Sequence, residues 1–333
     1  MTYPLENAVK KFLDPSVPAW GPYEETIDPP LRPQEPDGKV CLGVCPGVCP
    51  GEGLARHDML YIGEGCNRIF LVKDGKIAWK YDTGAGWELD DIWMRTDGNI
   101  LFTRMYWAAE ITPDKRVVWR YEAPEHAEIH TIQPLGRDRA VMIVNREYDP
   151  RLVIVSTKDG SVISDRGMPY FGGGGTHGQN RRFRVTAAGT YLMPYLSGHR
   201  VVEFDEELGE IWSVDVAKPW AAIRLKNGNT LVSDESDESV IEFRPDKSIA
   251  WRLTQEDLGE YRLAGTQSCV RLDNGNTILC ARGEGGKTAQ LCEVTPDKRV
   301  VWVLKDWKNL GPGTAVQILK DGGIPENPGE CQR

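Results

Sequence analysis

The stretch Thr112–Trp119 reads TPDKRVVW, and the same eight letters return at Thr295–Trp302. A looser copy, RPDKSIAW, occupies Arg244–Trp251. Each copy is a tight polar turn followed by an alternating strand that ends in a large aromatic side chain. A period of about 40–50 residues filled with short strands is typical of the blades of a β-propeller. Three variant copies are KDGKIAW at Lys73–Trp79, KDGSVIS at Lys158–Ser164 and EELGEIW at Glu206–Trp212.

The second unit shows the pattern of a complete blade. Leu89–Arg95 and Ile100–Thr103 flank the turn Asp97-Gly98-Asn99, which is a strong hairpin signal. A third strand is predicted at Ala108–Thr112 and a fourth at Val117–Tyr121. Because the same order of strands and turns recurs along the chain, we predict an all-β fold made of four-stranded antiparallel blades.

Ring closure follows from two incomplete units at the ends of the repeat. The unit at 57–81 lacks a convincing first strand, whereas TAVQILKDGG at 314–323 matches a first strand and turn with nothing after them. Pairing of the C-terminal strand with the first blade would complete the sheet and leave no open edge. We therefore predict a six-bladed propeller at 57–333. The alternative of seven blades would need strands within 20–56, where the proline content argues against them.

The N-terminal segment 1–56 has a different character from the repeat. It is rich in Pro, Gly and Cys and lacks periodicity, so we predict an irregular extension packed on the propeller, with a short helix at about 5–13. Its C-x3-C-x3-C pattern at 41–49 does not match the usual spacing of zinc ligands. A disulfide from this cluster to Cys331 and a set of free thiols are both open.

Charge limits the partners that we expect. The chain has 49 acidic and 40 basic residues, a formal net charge of −9 and a pI near 5.3. Nucleic acids and anionic membrane surfaces are disfavoured as partners because both require a basic face. No apolar run of 18 residues is present, and the N-terminus lacks the apolar core of a signal peptide. We expect a monomer, either cytoplasmic or secreted with its leader removed.

Propeller topology sorts the loops by face. Loops that join an outer strand to the next inner strand share a face with the loops between second and third strands, and binding sites usually lie there. His126, His130, His177 and His199 sort to this face, whereas His57 sorts to the other. Aromatic, arginine and carboxylate side chains gather on the same face. That mixture suits a small-molecule or oligosaccharide ligand that is polyhydroxylated or anionic.

Two histidines are the predicted catalytic residues. Four consecutive glycines, Gly172–Gly175, precede His177 and should deliver it to the rim of the axis, although capping of an inner strand is an alternative role. His130 is predicted at the head of an inner strand. No cofactor is expected, but a divalent metal, Mn or Ca, could be held by His130, His177 and Gln267. The predicted substrate contacts are Trp87, Asp90, Asp91, Arg104, Arg146, Arg181, Tyr195, His199, Trp220 and Gln267.

The sequence of two predicted blades resembles that of the bacterial β-propellers labelled PQQ-like or arylsulfotransferase-like. The matching stretches are ITPDKRVVWRYEAPEHAEIHTIQPL and RLKNGNTLV. The resemblance covers about 57–323. In arylsulfotransferases, histidines and an arginine on inner strands carry sulfuryl transfer, and the resemblance implies that role for His130, His177 and Arg181. The additional strand domain of those enzymes has no counterpart in this sequence. The PQQ signature of tryptophan-docking repeats and calcium ligands is not evident.

Three functions are compatible with these patterns, because propellers host all of them. The first is a carbohydrate-active lyase or glycosidase in which the histidines act as acid and base, arginines hold a carboxylate and tryptophans hold the sugar ring. The second is sulfuryl transfer through a nucleophilic histidine. The third is a non-catalytic binding or scaffold propeller. The gathering of His, Arg and Trp near the axis favours an enzyme.

Overall fold

Six antiparallel sheets, five with four strands and one with five, are arranged as the blades of a propeller in the computed structural model of the chain. The predicted all-β fold with six blades is therefore confirmed. No helix among the described residues is long and apolar enough to cross a membrane. The structure describes residues 3–13, 41–42, 56–84, 88–284, 287–307 and 309–333.

The strand bounds follow the chain from blade to blade. Helix α1 spans Glu6–Phe12, and the two-residue strand β1 spans Cys41–Leu42. Strands β2–β4 are Met59–Ile62, Arg68–Lys73 and Lys76–Asp82. Blade 2 contains β5–β8 at Ile92–Met94, Ile100–Arg104, Trp107–Ile111 and Val117–Glu122. Blade 3 contains β9–β12 at Glu128–Pro134, Arg139–Asn145, Arg151–Ser156 and Val162–Gly167.

The second half of the ring repeats the same order. Blade 4 contains β13–β16 at Arg184–Val185, Tyr191–Tyr195, Arg200–Phe204 and Glu210–Asp215. Blade 5 contains β17–β20 at Pro219–Arg224, Thr230–Asp234, Ser239–Phe243 and Ile249–Leu253, followed by a short 3-10 helix at Glu256–Leu258. Blade 6 contains β21–β24 at Thr266–Arg271, Thr277–Ala281, Leu291–Val294 and Val300–Lys305, and β25 follows at Ala315–Ile318.

The ring closes as predicted through the C-terminal strand. Strand β25 pairs antiparallel with β2, with Ala315 opposite Ile62 and Ile318 opposite Met59, so blade 1 has the order β25-β2-β3-β4. The side chain of Gln317 also exchanges hydrogen bonds with the backbone of Met94 in blade 2, at 2.6 Å and 3.2 Å. The closing strand is therefore bonded to both of its neighbours, and no inner edge is left open at this junction.

The repeated tryptophan links each blade to the next. Trp119 meets a glycine turn in blade 3, where Gly160 lies against its ring, and its N–H donates instead to Glu110 at 2.9 Å. The indole N–H of Trp302 has no hydrogen-bond partner among the described residues. In three other copies the indole N–H donates to the proline carbonyl of the following turn, so the repeated Pro-Asp turn is a hydrogen-bonding partner as well as a reversal. These bonds join Trp79 to Pro113 at 3.1 Å, Trp212 to Pro245 at 3.0 Å and Trp251 to Pro296 at 2.9 Å.

Two details differ from the expectations, and a third bears on an alternative that the sequence left open. Strand β1 extends blade 6 by pairing with β24, within the segment predicted to be irregular. Strand β13 has only two residues because Arg182, just before it, bonds to the backbone of Trp220 in blade 5 instead of to its own sheet. Cys331 is a free thiol, which argues against the disulfide considered for it. Most of the N-terminal extension, including Cys45 and Cys49, lies outside the described residues.

Candidate active site at the axial mouth

Five side chains from three chain segments meet near the axis on the predicted binding face; we call them the mouth cluster. Glu128 and His130 are two residues apart on β9, and their side chains contact each other at 2.8 Å. Glu88 and Asp90 come from the segment between β4 and β5, and His177 comes from the long loop between β12 and β13. The structure thus brings the two predicted catalytic histidines together, with ring centroids 5.4 Å apart.

His130 is the buried centre of the mouth cluster. Only 1% of it is exposed. Its Nδ1 lies 2.7 Å from an Asp90 carboxylate oxygen and 3.3 Å from Glu88, and its Nε2 lies 2.8 Å from Glu128. Both ring nitrogens therefore face carboxylates, which is the arrangement of an imidazolium that donates from both sides.

The electrostatics agree with this assignment. Burial and the charge of Arg181 act to lower the pKa of His130, but hydrogen bonds to Asp90, Glu128 and Glu88 outweigh them and raise it to about 10. Burial acts to raise the pKa of Glu128, yet hydrogen bonds from His130 and His177 bring it down to about 2. The pKa of Glu88 also falls to about 2, where the His130 hydrogen bond overcomes burial. His130 is thus the counter-ion that keeps two buried carboxylates ionised.

Asp90 behaves differently from the two glutamates. Burial, followed by the charge of Glu88, raises the pKa of its carboxyl although His130 donates to it. Its second oxygen, Oδ1, is buried without a hydrogen-bond partner. One imidazolium therefore cannot neutralise all of the negative charge in the mouth cluster.

His177 lies on the solvent side of the mouth cluster, with half of its side chain exposed. Its Nδ1 is 2.9 Å from Glu128, and its Nε2 is 3.4 Å from Glu88. Glu128 therefore contacts both histidines and orients the exposed one. A carboxylate that fixes one nitrogen of a half-exposed imidazole is a common arrangement in general acid–base sites.

The glycine loop positions His177 through close backbone packing. All four glycines of Gly172–Gly175 have positive φ angles, from 58° to 83°. A Cβ on Gly174 would lie 2.3 Å from Ser197 Oγ, so only glycine fits there without a shift. Gly178 then bonds both to Gly174 and to Ser197, at 3.0 Å each. The loop is held against the loop that follows β14, and this fixes the residue before Gly178.

A fourth carboxyl group with an altered pKa, that of Glu64, lies near the mouth cluster. Glu64, in the loop between β2 and β3, accepts a hydrogen bond of 2.5 Å from Gln267. Burial, then the charges of Glu88 and Asp90, raises the pKa of Glu64 to about 7. Tyr106 also lies near the mouth cluster. Partial burial, and then the charges of Glu128 and Glu88, raise the pKa of its hydroxyl. Gln267, which we predicted as a substrate contact and candidate metal ligand, is thus linked to the mouth cluster by its hydrogen bond to Glu64.

Three of the predicted substrate contacts are buried supports of this site. Arg181 donates to the backbone carbonyl of His177 at 2.5 Å and stacks on the ring of Trp220, which is itself 4% exposed. Arg104 donates to Asn67 and to the carbonyl of Gly84, both at 2.8 Å. These arginines bond to the protein itself, so they hold loops in place.

The remaining predicted residues lie apart from the mouth cluster. Asp91 is fully buried and pairs with Arg182 and Arg184. Tyr195 packs in the core between blades 3 and 4 and donates its hydroxyl to Pro169. His199 is exposed and bonds to the carbonyl of Ala217, and Arg146 is partly exposed near Asp149. Trp87 lies outside the described residues.

Glu128 and Glu64 were missed in the sequence, and Glu88 was not among the predicted substrate contacts. Glu128 precedes His130, the predicted head of an inner strand, by two positions, so it belongs to a loop that the topology rule assigns to the binding face. Glu64 lies in a loop between second and third strands, which the topology rule assigns to the same face. The sequence signals were therefore present, but neither residue differs from an ordinary surface glutamate in composition.

The donor atoms also permit a metal ion. Glu88, His130 and His177 each offer one ligand atom within 4.8 Å of the others. Glu88 thus takes the place that we predicted for Gln267. Binding through His130 would require loss of the proton that its three carboxylate neighbours hold, so metal and proton compete for the same position.

Solved structures confirm the fold. A protein of unknown function from Bacteroides caccae aligns with a TM-score of 0.72 at 25% identity, over 79% of this chain and 98% of its own. An inactive virginiamycin B lyase from Staphylococcus aureus, solved with quinupristin, aligns with a TM-score of 0.55 at 11% identity, over 85% and 97%. The WD40 propeller domain of Doa1 aligns with a TM-score of 0.50 at 12% identity, over 75% and 76%.

These likenesses establish the propeller architecture. No protein-family model matches the chain, and no curated protein sequence matches it either. The resemblance to PQQ-like or arylsulfotransferase-like propellers is therefore not confirmed.

Proposed function

We propose that the chain is a carbohydrate-active enzyme, a glycosidase or lyase, that acts on a glycoside or uronate at the mouth cluster. The observation that carries the proposal is the half-exposed imidazole of His177, oriented by Glu128, together with a nearby carboxyl group, Glu64, that interacts with Glu88 and Asp90 and has a pKa of about 7. Acid–base pairs of this kind are found where the environment separates the pKa values of neighbouring groups. Propellers can host lyases, as virginiamycin B lyase shows for the fold in general.

His177 is the proposed general base. The hydrogen bonds of His130 and His177 keep Glu128 ionised, and Glu128 accepts a hydrogen bond from Nδ1–H of His177, which leaves Nε2 as the basic nitrogen. His130 contacts no solvent, so we assign it a positioning role in place of the catalytic role predicted from the sequence.

Glu64 is the proposed general acid. With a pKa of about 7 it is protonated in part near neutral pH, whereas Glu88 and Glu128 are ionised. In hydrolysis Glu64 would give its proton to the departing glycosidic oxygen while His177 takes one from the attacking water. In elimination His177 would instead take the proton on the carbon beside the uronate carboxyl. That electron pair would form the double bond as the protonated oxygen leaves.

The charge of the mouth cluster indicates which substrates fit it best. The mouth cluster and Glu64 together hold four carboxyl groups, against the positive charges of His130 and Arg181. A neutral glycoside therefore fits the centre better than an anion does. A uronate would place its carboxylate at the rim, where the side chain of Arg146 is 39% exposed. Tyr106, 45% exposed, offers an aromatic surface for a sugar ring.

The test uses single variants assayed on a panel of neutral glycosides, uronates and aryl sulfates. We expect His177→Gln to lower kcat by about 10²–10⁴-fold on any substrate that wild type turns over. His126→Gln is the matched control, because that side chain is 88% exposed on the same face and outside the mouth cluster. Equal rates for His177→Gln and wild type would refute the proposal.

The pH profile tests Glu64 separately. The acid must be protonated, so wild-type activity should fall as pH rises through about 7, and Glu64→Gln should be slow without that alkaline limb.

Turnover of an aryl sulfate that depends on His177 would favour sulfuryl transfer instead. Neither turnover nor a thermal shift with any panel member would favour the scaffold function. One Mn or Ca per chain by elemental analysis would assign Glu88, His130 and His177 to a metal site.

A further inference from the structure

Three arginines converge on Asp91 in a second charged group, which we call the arginine cluster. Arg182 and Arg184 place their Nη2 atoms 2.9 Å and 3.0 Å from Asp91 Oδ1, and Arg333 places its Nη2 3.9 Å from the same atom. Arg184 also donates to Oδ2 at 2.7 Å. All four side chains are at least 94% buried. The cluster takes no part in the chemistry proposed for the mouth cluster.

Asp91 has no acceptor capacity left for further donors. Besides the three guanidinium bonds, its two oxygens accept the backbone N–H groups of Ile92 and Ile132 and the hydroxyl of Thr131, at 3.1–3.2 Å. Six donors therefore share one carboxylate, which offers about four lone-pair sites. Asp91 cannot satisfy the rest of the arginine cluster.

Four guanidinium nitrogens in the cluster remain buried without a protein acceptor. They are Nε and Nη1 of Arg182 and Nη1 and Nη2 of Arg333. Arg333 also stacks on the face of Trp93, with its guanidinium carbon 4.2 Å from the ring centroid, and Arg184 does so at 5.0 Å. A buried guanidinium stays protonated, so three positive side chains share a single carboxylate side chain, that of Asp91. Unpaired buried donors of this kind are costly unless an acceptor meets them.

We propose that the arginine cluster binds a small inorganic anion such as chloride between Arg182 and Arg333. The anion would accept the free N–H groups of both residues and offset the excess positive charge that Asp91 leaves. Its site is built from distant parts of the ring. Arg333 donates from Nε to the carbonyl of Val316 on the closing strand β25, and its own main-chain oxygen accepts from Arg184 Nε.

Occupancy of this site would therefore stabilise the closed ring. The bound anion ties the segment around Arg333, the strand β25 and the inner strand of blade 4 to the same point on the axis. A ligand that binds only the folded state raises stability in a saturable way as its concentration increases. The chain should be more stable in chloride or bromide than in a salt whose anion is too large to enter.

The test compares bromide with gluconate at constant ionic strength. We expect the melting temperature to rise with bromide concentration and to saturate. A crystal grown in bromide should show one anomalous peak in hydrogen-bond contact with Arg182 and Arg333. In Arg333→Met the bromide concentration for half the effect should rise by about tenfold or more, because a charge-assisted contact is lost. Arg116→Met, which removes an exposed arginine in the Pro-Asp turn, is the matched control and should behave as wild type.

Three results would overturn the proposal. They are a melting temperature that does not respond to bromide, a response that is the same in Arg333→Met, and density at the cluster that carries no anomalous signal. The diffraction result uses the wild-type chain, so it decides the question even where Arg333→Met fails to fold.

Discussion

Replacing His130 by glutamine would remove the positive charge from the centre of the mouth cluster while leaving an amide that can still donate a hydrogen bond. Glu88, Asp90 and Glu128 would then lie buried together without their counter-ion. Breaking a buried ion pair by removing one partner typically costs about 3–5 kcal/mol of unfolding free energy. We expect His130→Gln to be destabilised by an amount in this range at neutral pH.

The pH dependence of the unfolding free energy tests whether the charge of His130 is the cause of this destabilisation. A histidine whose pKa is raised from 6.5 to about 10 by folding contributes stability that is complete below pH 6.5 and lost as pH rises through 10. Each pH unit in that window removes up to about 1.4 kcal/mol. Between pH 7 and pH 9 the wild-type chain should lose about 2–3 kcal/mol through His130 alone. The variant lacks this titration, so the stability gap should narrow as pH rises.

Urea unfolding followed by tryptophan fluorescence at pH 7, 8 and 9 measures the destabilisation of His130→Gln and the pH dependence of stability in both proteins. His126→Gln, which removes an exposed imidazole from the same face, should keep the wild-type slope. The gap should also narrow toward acid pH, because the pKa values of Glu88 and Glu128 rise once the hydrogen bond and charge of His130 no longer oppose burial. A variant with the same alkaline slope as wild type would show that His130 does not carry the buried charge.

Three further predictions concern the ring and the loop. Trp251→Phe removes the indole bond to Pro296 and should cost about 0.5–1.5 kcal/mol in urea unfolding, whereas Trp302→Phe removes an N–H without a hydrogen-bond partner and should cost less than Trp251→Phe. Deleting 314–333 leaves an edge of blade 1 unpaired, so we expect a lower melting temperature and aggregation; wild-type behaviour would contradict the closure. Gly174→Ala should shift the loop and lower kcat by up to about a hundredfold, and an unchanged rate would show that the loop does not position the base.

The fold could be predicted because its signals are local and repeated. Each blade is set by a Pro-Asp or Asp-Gly turn and an alternating strand, and both are visible within about ten residues. Closure of the ring could be predicted because the first unit lacks an inner strand and the C-terminal segment supplies one. The short strand β13 could not be predicted, since the backbone of Arg182 leaves its own sheet to bond to blade 5. That choice depends on a contact between neighbouring blades.

The candidate site was predicted in outline only. Sorting loops by face placed His130 and His177 together, because topology alone decides the face. Their different roles depend on burial and on Glu128, and neither is visible in a list of loops. Arg104 and Arg181 sorted correctly to the mouth, but the sequence could not show that backbone carbonyls occupy their donors. Arg333 reaches Arg184 across 149 positions, which no local pattern indicates.

The most direct test of the account is the rate of bond cleavage by wild type and His177→Gln on the same panel of glycosides and uronates. We predict that wild type cleaves at least one of these sugars, that His177→Gln loses about 10²–10⁴-fold in kcat, and that His126→Gln keeps the wild-type rate. Cleavage that proceeds equally well without His177, or no cleavage of any sugar by the wild-type chain, would contradict the proposed role of the axial mouth.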